Sequence, residues 1–187
     1  QVNSLAWNGT IWVAGGDGPG TNNIAYSSDG ITWTISANEN IITTIVYCVA
    51  WNGMLWVAGG SGTIKLAYSY DGINWLGSVN GNTISGIGHP VAVSWIGTRW
   101  ILIGTVNKLA YSSDGIAWIN SANGNTLFGS NTYPTWTYFG GSRIACNNLK
   151  QNTITFPANR MVAGGDGTNK IAYSSDGITW TGSVSGN

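Results

Sequence analysis

Charge is what this sequence has least of. Only 7% of its 187 residues are Asp, Glu, Lys or Arg, against about 25% in an ordinary soluble domain. Seven basic and seven acidic side chains cancel, so no net field gathers phosphate backbones or anionic head groups, and nucleic acid is not an expected partner. No apolar run approaches the roughly 20 residues of a membrane helix, and no charged-then-apolar signal segment opens the chain; membrane insertion is not expected. The chain starts at Gln1 without a Met, as a processed or excised piece would. The two cysteines, Cys48 and Cys146, form neither a disulfide framework nor a zinc pattern; a single bridge and two free thiols are both open readings. One His, His89 before Pro90, has no Cys or carboxylate cluster in its neighbourhood of the sequence, so no metal or cofactor is implied. No stretch shows helical periodicity.

What is present is apolar and aromatic. Hydrophobic residues make up 43% of the chain, with 11 Trp and 28 Gly, ample for a buried core. The polar surface must come from Asn, Ser, Thr and Gly, a composition that suggests an all-β protein on an extracellular or virion surface. Asn8-Gly9-Thr10 is the one glycosylation sequon and reads first as a hairpin turn.

The chain repeats itself. "AWNGTIWVAGG" (6–16), "AWNGMLWVAGG" (50–60) and "SWIGTRWILIG" (94–104) place Trp7, Trp51 and Trp95 about 44 residues apart, and a fourth such step lands on Phe139. "AYSSDGITW" (25–33) recurs as "AYSYDGINW" (67–75), "AYSSDGIAW" (110–118) and again as "AYSSDGITW" (172–180). The approximate units are 1–44, 45–88, 89–132 and 133–187, the last with an insertion at about 143–158 in the turn between its first two segments. Each unit reads as four short strands punctuated by Asn-Gly and Asp-Gly turns. A repeat of this length with four antiparallel strands predicts an all-β fold, a β-propeller of four-stranded blades. It is either a closed four-bladed ring or part of a larger propeller. Ten of the eleven Trp fall on the repeat lattice and are expected to fill the spaces between blades. Trp136 does not, and Tyr138 stands where the other units have Ala or Ser.

Ser27, Asp29, Gly30 and Trp33, with Ser69, Asp71, Gly72 and Trp75, Ser112, Asp114, Gly115 and Trp118, and Ser174, Asp176, Gly177 and Trp180, are the fixed residues of the nonapeptide. Together they resemble the Asp-box, the repeat of bacterial neuraminidases and many other β-propellers, usually Ser-x-Asp-x-Gly-x-Thr-Trp. Here Gly follows Asp directly, so the box is one residue shorter. The resemblance implies a structural turn between the third and fourth strands of each blade. Asp-Gly suits a two-residue turn with positive φ, and the carboxylate can accept the N–H groups that the turn leaves free.

The same resemblance raises glycoside hydrolysis. A sialidase-like site needs an Arg cluster, and Arg99, Arg143 and Arg160 all fall at the edge joining strands one and two. With the box residues removed, Asp17, Glu39 and Asp166 remain as carboxylates, of which Asp17 and Glu39 are the one conceivable pair. No catalytic residue is assigned. The expected role is a non-catalytic binding or structural module recognising a glycan or a protein; the alternatives are a fragment of a sialidase-like hydrolase and a pure assembly protein that self-associates. Candidate contacts are the departures Trp136, Tyr138, Arg143 and Lys150, and the recurring Lys65, Lys108 and Lys170, with Asn23 in the first unit. Asn40, Asn82, Asn125 and Asn187 recur in the loops that cross between blades and would suit glycan hydroxyls.

Overall fold

The computed structural model describes residues 1–18, 23–37, 42, 44–84, 86–105, 109–127, 144–146, 161–164 and 171–183. They form four antiparallel four-stranded sheets, one per repeat. Blade 1 holds β1 (Val2–Trp7), β2 (Trp12–Gly16), β3 (Ile24–Ser27) and β4 (Thr34–Ile35). Blade 2 holds β5 (Ile45–Trp51), β6 (Trp56–Ser61), β7 (Leu66–Ser69) and β8 (Leu76–Gly77), and blade 3 holds β9 (Pro90–Trp95), β10 (Trp100–Gly104), β11 (Leu109–Ser112) and β12 (Ile119–Asn120). A short helix, α1 (Ala122–Leu127), precedes blade 4, built from β13 (Ile144–Cys146), β14 (Met161–Gly164), β15 (Ile171–Ser174) and β16 (Thr181–Gly182).

The period-two alternation of these strands sends side chains to opposite faces, and both faces of an inner blade are buried against neighbours. Within each blade the strands follow sequence order, and the first strands β1, β5, β9 and β13 lie side by side. Ile11, Val13, Ile24 and Tyr26 of blade 1 pack on Val46, Val49, Trp56 and Trp75 of blade 2. Leu55, Val57, Leu66 and Tyr68 of blade 2 meet Leu102, Trp100 and Trp118 of blade 3 in the same way. Ile101, Leu109 and Tyr111 of blade 3 then meet Ala172 and Trp180 of blade 4. Of the ten lattice Trp expected to fill the spaces between blades, Trp56, Trp75, Trp100, Trp118 and Trp180 are buried, Trp12, Trp51 and Trp95 are half-buried, and Trp7 and Trp33 of blade 1 are exposed.

The first hairpins of blades 1 and 2 each turn on an Asn. Asn8 Oδ1 accepts from the N–H groups of Thr10 and Ile11, both at 2.8 Å, while Gly9 takes φ 103°. Asn52 does the same for Met54 and Leu55 around Gly53, so the sequon of the first unit is built into a structural turn.

Blade 4 departs from the expected register. Cys146 lies opposite Met161, the place that Trp7–Trp12, Trp51–Trp56 and Trp95–Trp100 hold elsewhere. A step of 44 residues from Trp95 falls on Phe139 instead, and β13 lies inside the stretch 143–158 expected to be an insertion in the turn. The additional residues therefore stand on both sides of β13. A count along the chain carries no information about pairing; register follows from which apolar alternation fits the partner strand. The second departure is α1, six residues long, too short to show a periodic signal. It starts because Ser121 caps it: Gly124 N–H donates to Ser121 Oγ at 3.2 Å and Asn125 N–H to the Ser121 carbonyl at 2.9 Å.

Candidate functional site

The nonapeptide forms the same clasp four times, between β3 and β4, β7 and β8, β11 and β12, and β15 and β16. Asp29 Oδ1 accepts from Ile31 N–H at 2.8 Å, from Thr32 N–H at 2.7 Å and from the Ser27 hydroxyl at 2.9 Å. Ser27 Oγ in turn accepts from Gly30 N–H at 2.9 Å, and Trp33 Nε1–H reaches back to the Gly30 carbonyl. Asp71, Asp114 and Asp176 repeat the pattern with Ser69, Ser112 and Ser174. The glycines take φ between 74° and 78°, where any side chain meets its own backbone. The connection is six residues rather than a two-residue turn, because the Asp gathers two amides and the Trp must fold back beneath them.

These bonds set the charge. The N–H groups of Thr32 and Ile31, with the Ser27 hydroxyl, hold the Asp29 carboxyl down at about 2. At Asp71 burial pushes upward, but the Asn74 side chain and amide, Ile73 N–H and Ser69 outweigh it and the carboxyl again lies at about 2. Asp114 and Asp176 also sit below the ordinary carboxylate range, their burial outweighed by the same kinds of bond. Such groups stay ionised and engaged at neutral pH, and are poorly matched to donating a proton.

A second recurring device ties each blade to the next. One residue past the fourth strand, Ser36, Ser78 and Ser121 donate to carbonyls of the next blade: Gly72 at 3.4 Å, Ile116 at 2.6 Å and Ile178 at 2.8 Å. Two residues further, Asn80 closes a pair with the backbone of Trp118. Its Nδ2 donates to the Trp118 carbonyl at 3.0 Å and its Oδ1 accepts from Trp118 N–H at 2.8 Å. Asn123 accepts from Trp180 N–H at 2.6 Å. The Ser-x-Asn triplets at 36–38, 78–80 and 121–123 are the available signal, each starting three residues after a box Trp, while the fourth box is followed by Ser183-Val184-Ser185.

The expected ligand contacts fare unevenly. Trp136, Tyr138, Arg143, Lys150, Lys108 and Lys170 lie outside the described residues, as do Glu39, Arg160, Asn40 and Asn187. Asn82 and Asn125 are engaged by the scaffold: Lys65 N–H donates to Asn82 Oδ1, and Leu109 N–H to Asn125 Oδ1, each at 2.6 Å. Asn23 is buried, with its Nδ2 donating to the Ile42 carbonyl at 3.0 Å. Lys65 is half-buried, and its charge, after burial, lowers the pKa of His89. Arg99 lies in the β9–β10 turn with its guanidinium 5.7 Å from the Tyr111 ring centroid. Asp17 exchanges backbone bonds with Gln1. Cys48 is a free thiol, buried between the Gly59 and Pro90 carbonyls, and burial pushes its pKa up to about 12. Among the described residues no group of three His, Cys, Asp or Glu gathers to hold a metal, and no helix is long and apolar enough to cross a membrane.

No protein-family model and no curated protein matches the chain. Solved structures match it in fold. It is similar to the computationally designed Ika4 protein at 12% identity and TM-score 0.58, over 94% of this chain and 91% of that one. The fold is a β-propeller. YCF48 from Cyanidioschyzon merolae resembles the propeller at 15% identity and TM-score 0.58, over 98% of this chain and 57% of its own. A chain of the Mitotic Checkpoint Complex does so at 10% and 0.56, over 96% and 50%. The propeller thus spans about half the length of these last two. An architecture of stacked rigid blades carrying variable loops is suited to binding and scaffolding, and identities this low speak of the fold alone.

Proposed function

We propose that this propeller is a non-catalytic module that binds a protein partner through its loop ends, in an extracellular or virus-particle setting. The observation that carries it is the fate of the recurring polar groups. All four box carboxylates are engaged by backbone amides and a serine. Asn82 and Asn125, which would otherwise offer oxygens to sugar hydroxyls, accept from strand amides. Lys65, in the β6–β7 loop, and Arg99, in the β9–β10 turn, are isolated charges on a neutral scaffold, which favour a protein surface of complementary charge over a neutral glycan. The low overall charge supports the setting, and the Ser-x-Asp-Gly clasp supports kinship with the Asp-box repeats.

Affinity enrichment with immobilised chain, run in parallel with the Lys65→Glu variant, tests the reading. A partner enriched by the native chain and lost with the variant is the expected result. Glycan-array binding that survives Lys65→Glu would replace a protein ligand by a sugar. Turnover of a fluorogenic glycoside panel that vanishes with Glu39→Gln would overturn the non-catalytic reading.

A further inference from the structure

The blades are equivalent in sequence but not in cover. Each box Trp of blades 2 to 4 is sealed by the preceding blade, leaving Trp75 1%, Trp118 2% and Trp180 2% exposed, whereas Trp33 of blade 1 is 39% exposed. Leu5, on the same face, is 51% exposed where its equivalent Val49 is 6%. Ile31 stands 85% exposed beside them. The box glycines report the same difference. A Cβ on Gly72 would strike Ile11 and Val13 of the preceding blade, one on Gly115 would strike Leu55 and Val57, and one on Gly177 would strike Ile101 and Ile96. A Cβ on Gly30 would meet nothing but Trp12 of its own blade. Blade 1 therefore presents a complete receiving face, with Leu5, Trp7, Trp33 and Ile31 forming the kind of contiguous apolar patch that marks an interaction surface.

The backbone register of blade 4 repeats that of the other three blades. In the register of blade 4, Val162 stands where Val13, Val57 and Ile101 stand, and Tyr173 where Tyr26, Tyr68 and Tyr111 stand. Those are the residues with which blades 1 to 3 cover their neighbours. Ser183 follows β16 as Ser36, Ser78 and Ser121 follow β4, β8 and β12, the position from which a hydroxyl latches the next blade's box. Within the chain β13 packs beside β9 while the face of blade 1 stays open.

We propose that the open face of blade 1 is a socket for blade 4 of a second copy of this chain. The contact continues the interface that the molecule already makes three times over, and it is head-to-tail, so it joins copies into a closed ring or a chain of arrays according to whether the rotation closes. It lies on a blade face and not at the loop ends, so its failure leaves the protein-binding reading standing.

Analytical ultracentrifugation of three proteins across a concentration series tests it. Leu5→Glu spoils the socket and Tyr173→Lys spoils the inserting face, with circular dichroism confirming that both fold; Ile31→Lys, at the most exposed position of the socket, replaces Leu5→Glu if that variant does not. The native chain is expected to form dimers or larger species, each variant alone to sediment as a monomer, and an equal mixture of the two to recover a one-to-one complex. That recovery is specific to a head-to-tail contact, since each variant keeps the face the other has lost. A native chain that stays monomeric throughout the series overturns the proposal and points to closure by its own blade 4. Association that survives in both variants, or a mixture that stays monomeric, overturns it equally.

Discussion

Removing the Asn80 side chain tests the inter-blade clamp most directly. Asn80→Ala takes away both partners of the Trp118 peptide, the donor at 3.0 Å and the acceptor at 2.8 Å, while the Trp118 side chain keeps its surroundings dry. Each buried backbone group left unpaired costs about 1–3 kcal/mol. Asn80 is itself half-buried, so water entering the vacated space offsets part of that, and the expected loss is about 2–3 kcal/mol. For a chain of this length each kcal/mol lowers Tm by about 2–4 °C, so a fall of roughly 5–10 °C is expected. Guanidinium unfolding followed by tryptophan fluorescence, with calorimetry for Tm, reads both values. Asn52→Ala is the control: it also removes an oxygen that serves two amides, but inside a hairpin turn of one blade, where about 0.5–1 kcal/mol is expected. If Asn80→Ala costs no more than Asn52→Ala, the clamp does not hold the blades together and the reasoning fails.

Trp118→Ala should cost about 3–5 kcal/mol, as loss of a fully packed aromatic does, and Trp33→Ala about 1 kcal/mol in the monomer, where surface substitutions lie; parallel denaturant titrations compare them. The box carboxyls titrate lower in the folded chain than in the unfolded one. Their contribution is therefore complete above the unfolded value near 3.8 and is lost as pH falls toward about 2, the folded value of Asp29 and Asp71. Unfolding free energy measured against pH should drop in that window, and Asp71→Asn should make the drop shallower. Cys48, with its thiol pushed up to about 12, should resist iodoacetamide at pH 8 in the native chain and react once guanidinium unfolds it, as mass spectrometry of its peptide would show.

The sequence makes the fold legible where one pattern is written several times. The box and the Trp pairs carry both strand chemistry and turn chemistry, so the period, the four strands and the position of each turn all follow from them. Blade 4 defeats the same reasoning because Cys146 and Met161 replace a Trp pair; with the aromatic markers gone, only the pairing of apolar alternations decides the register. The polar groups mislead in another way. Asn82 and Asn125 recur in loops, which is equally expected of sugar contacts and of side chains that accept strand amides, and only the 2.6 Å bonds distinguish the two. The Ser-x-Asn clamp was visible as a pattern, but its partners lie in the next unit, and a separation of 38 or 57 residues between donor and acceptor has no local signal.

That clamp also bears on how such a chain can change over generations. Its gripping residues follow the fourth strand of one blade, and the groups gripped belong to the box of the next. One unit thus carries its own handle at one boundary and its own keyhole at the other. Copying a whole unit in tandem inserts a blade that already fits both neighbours, with no compensating substitution, whereas copying half a unit leaves a handle without a keyhole. The number of blades is free to drift in whole steps, while the chemistry at each boundary is held fixed.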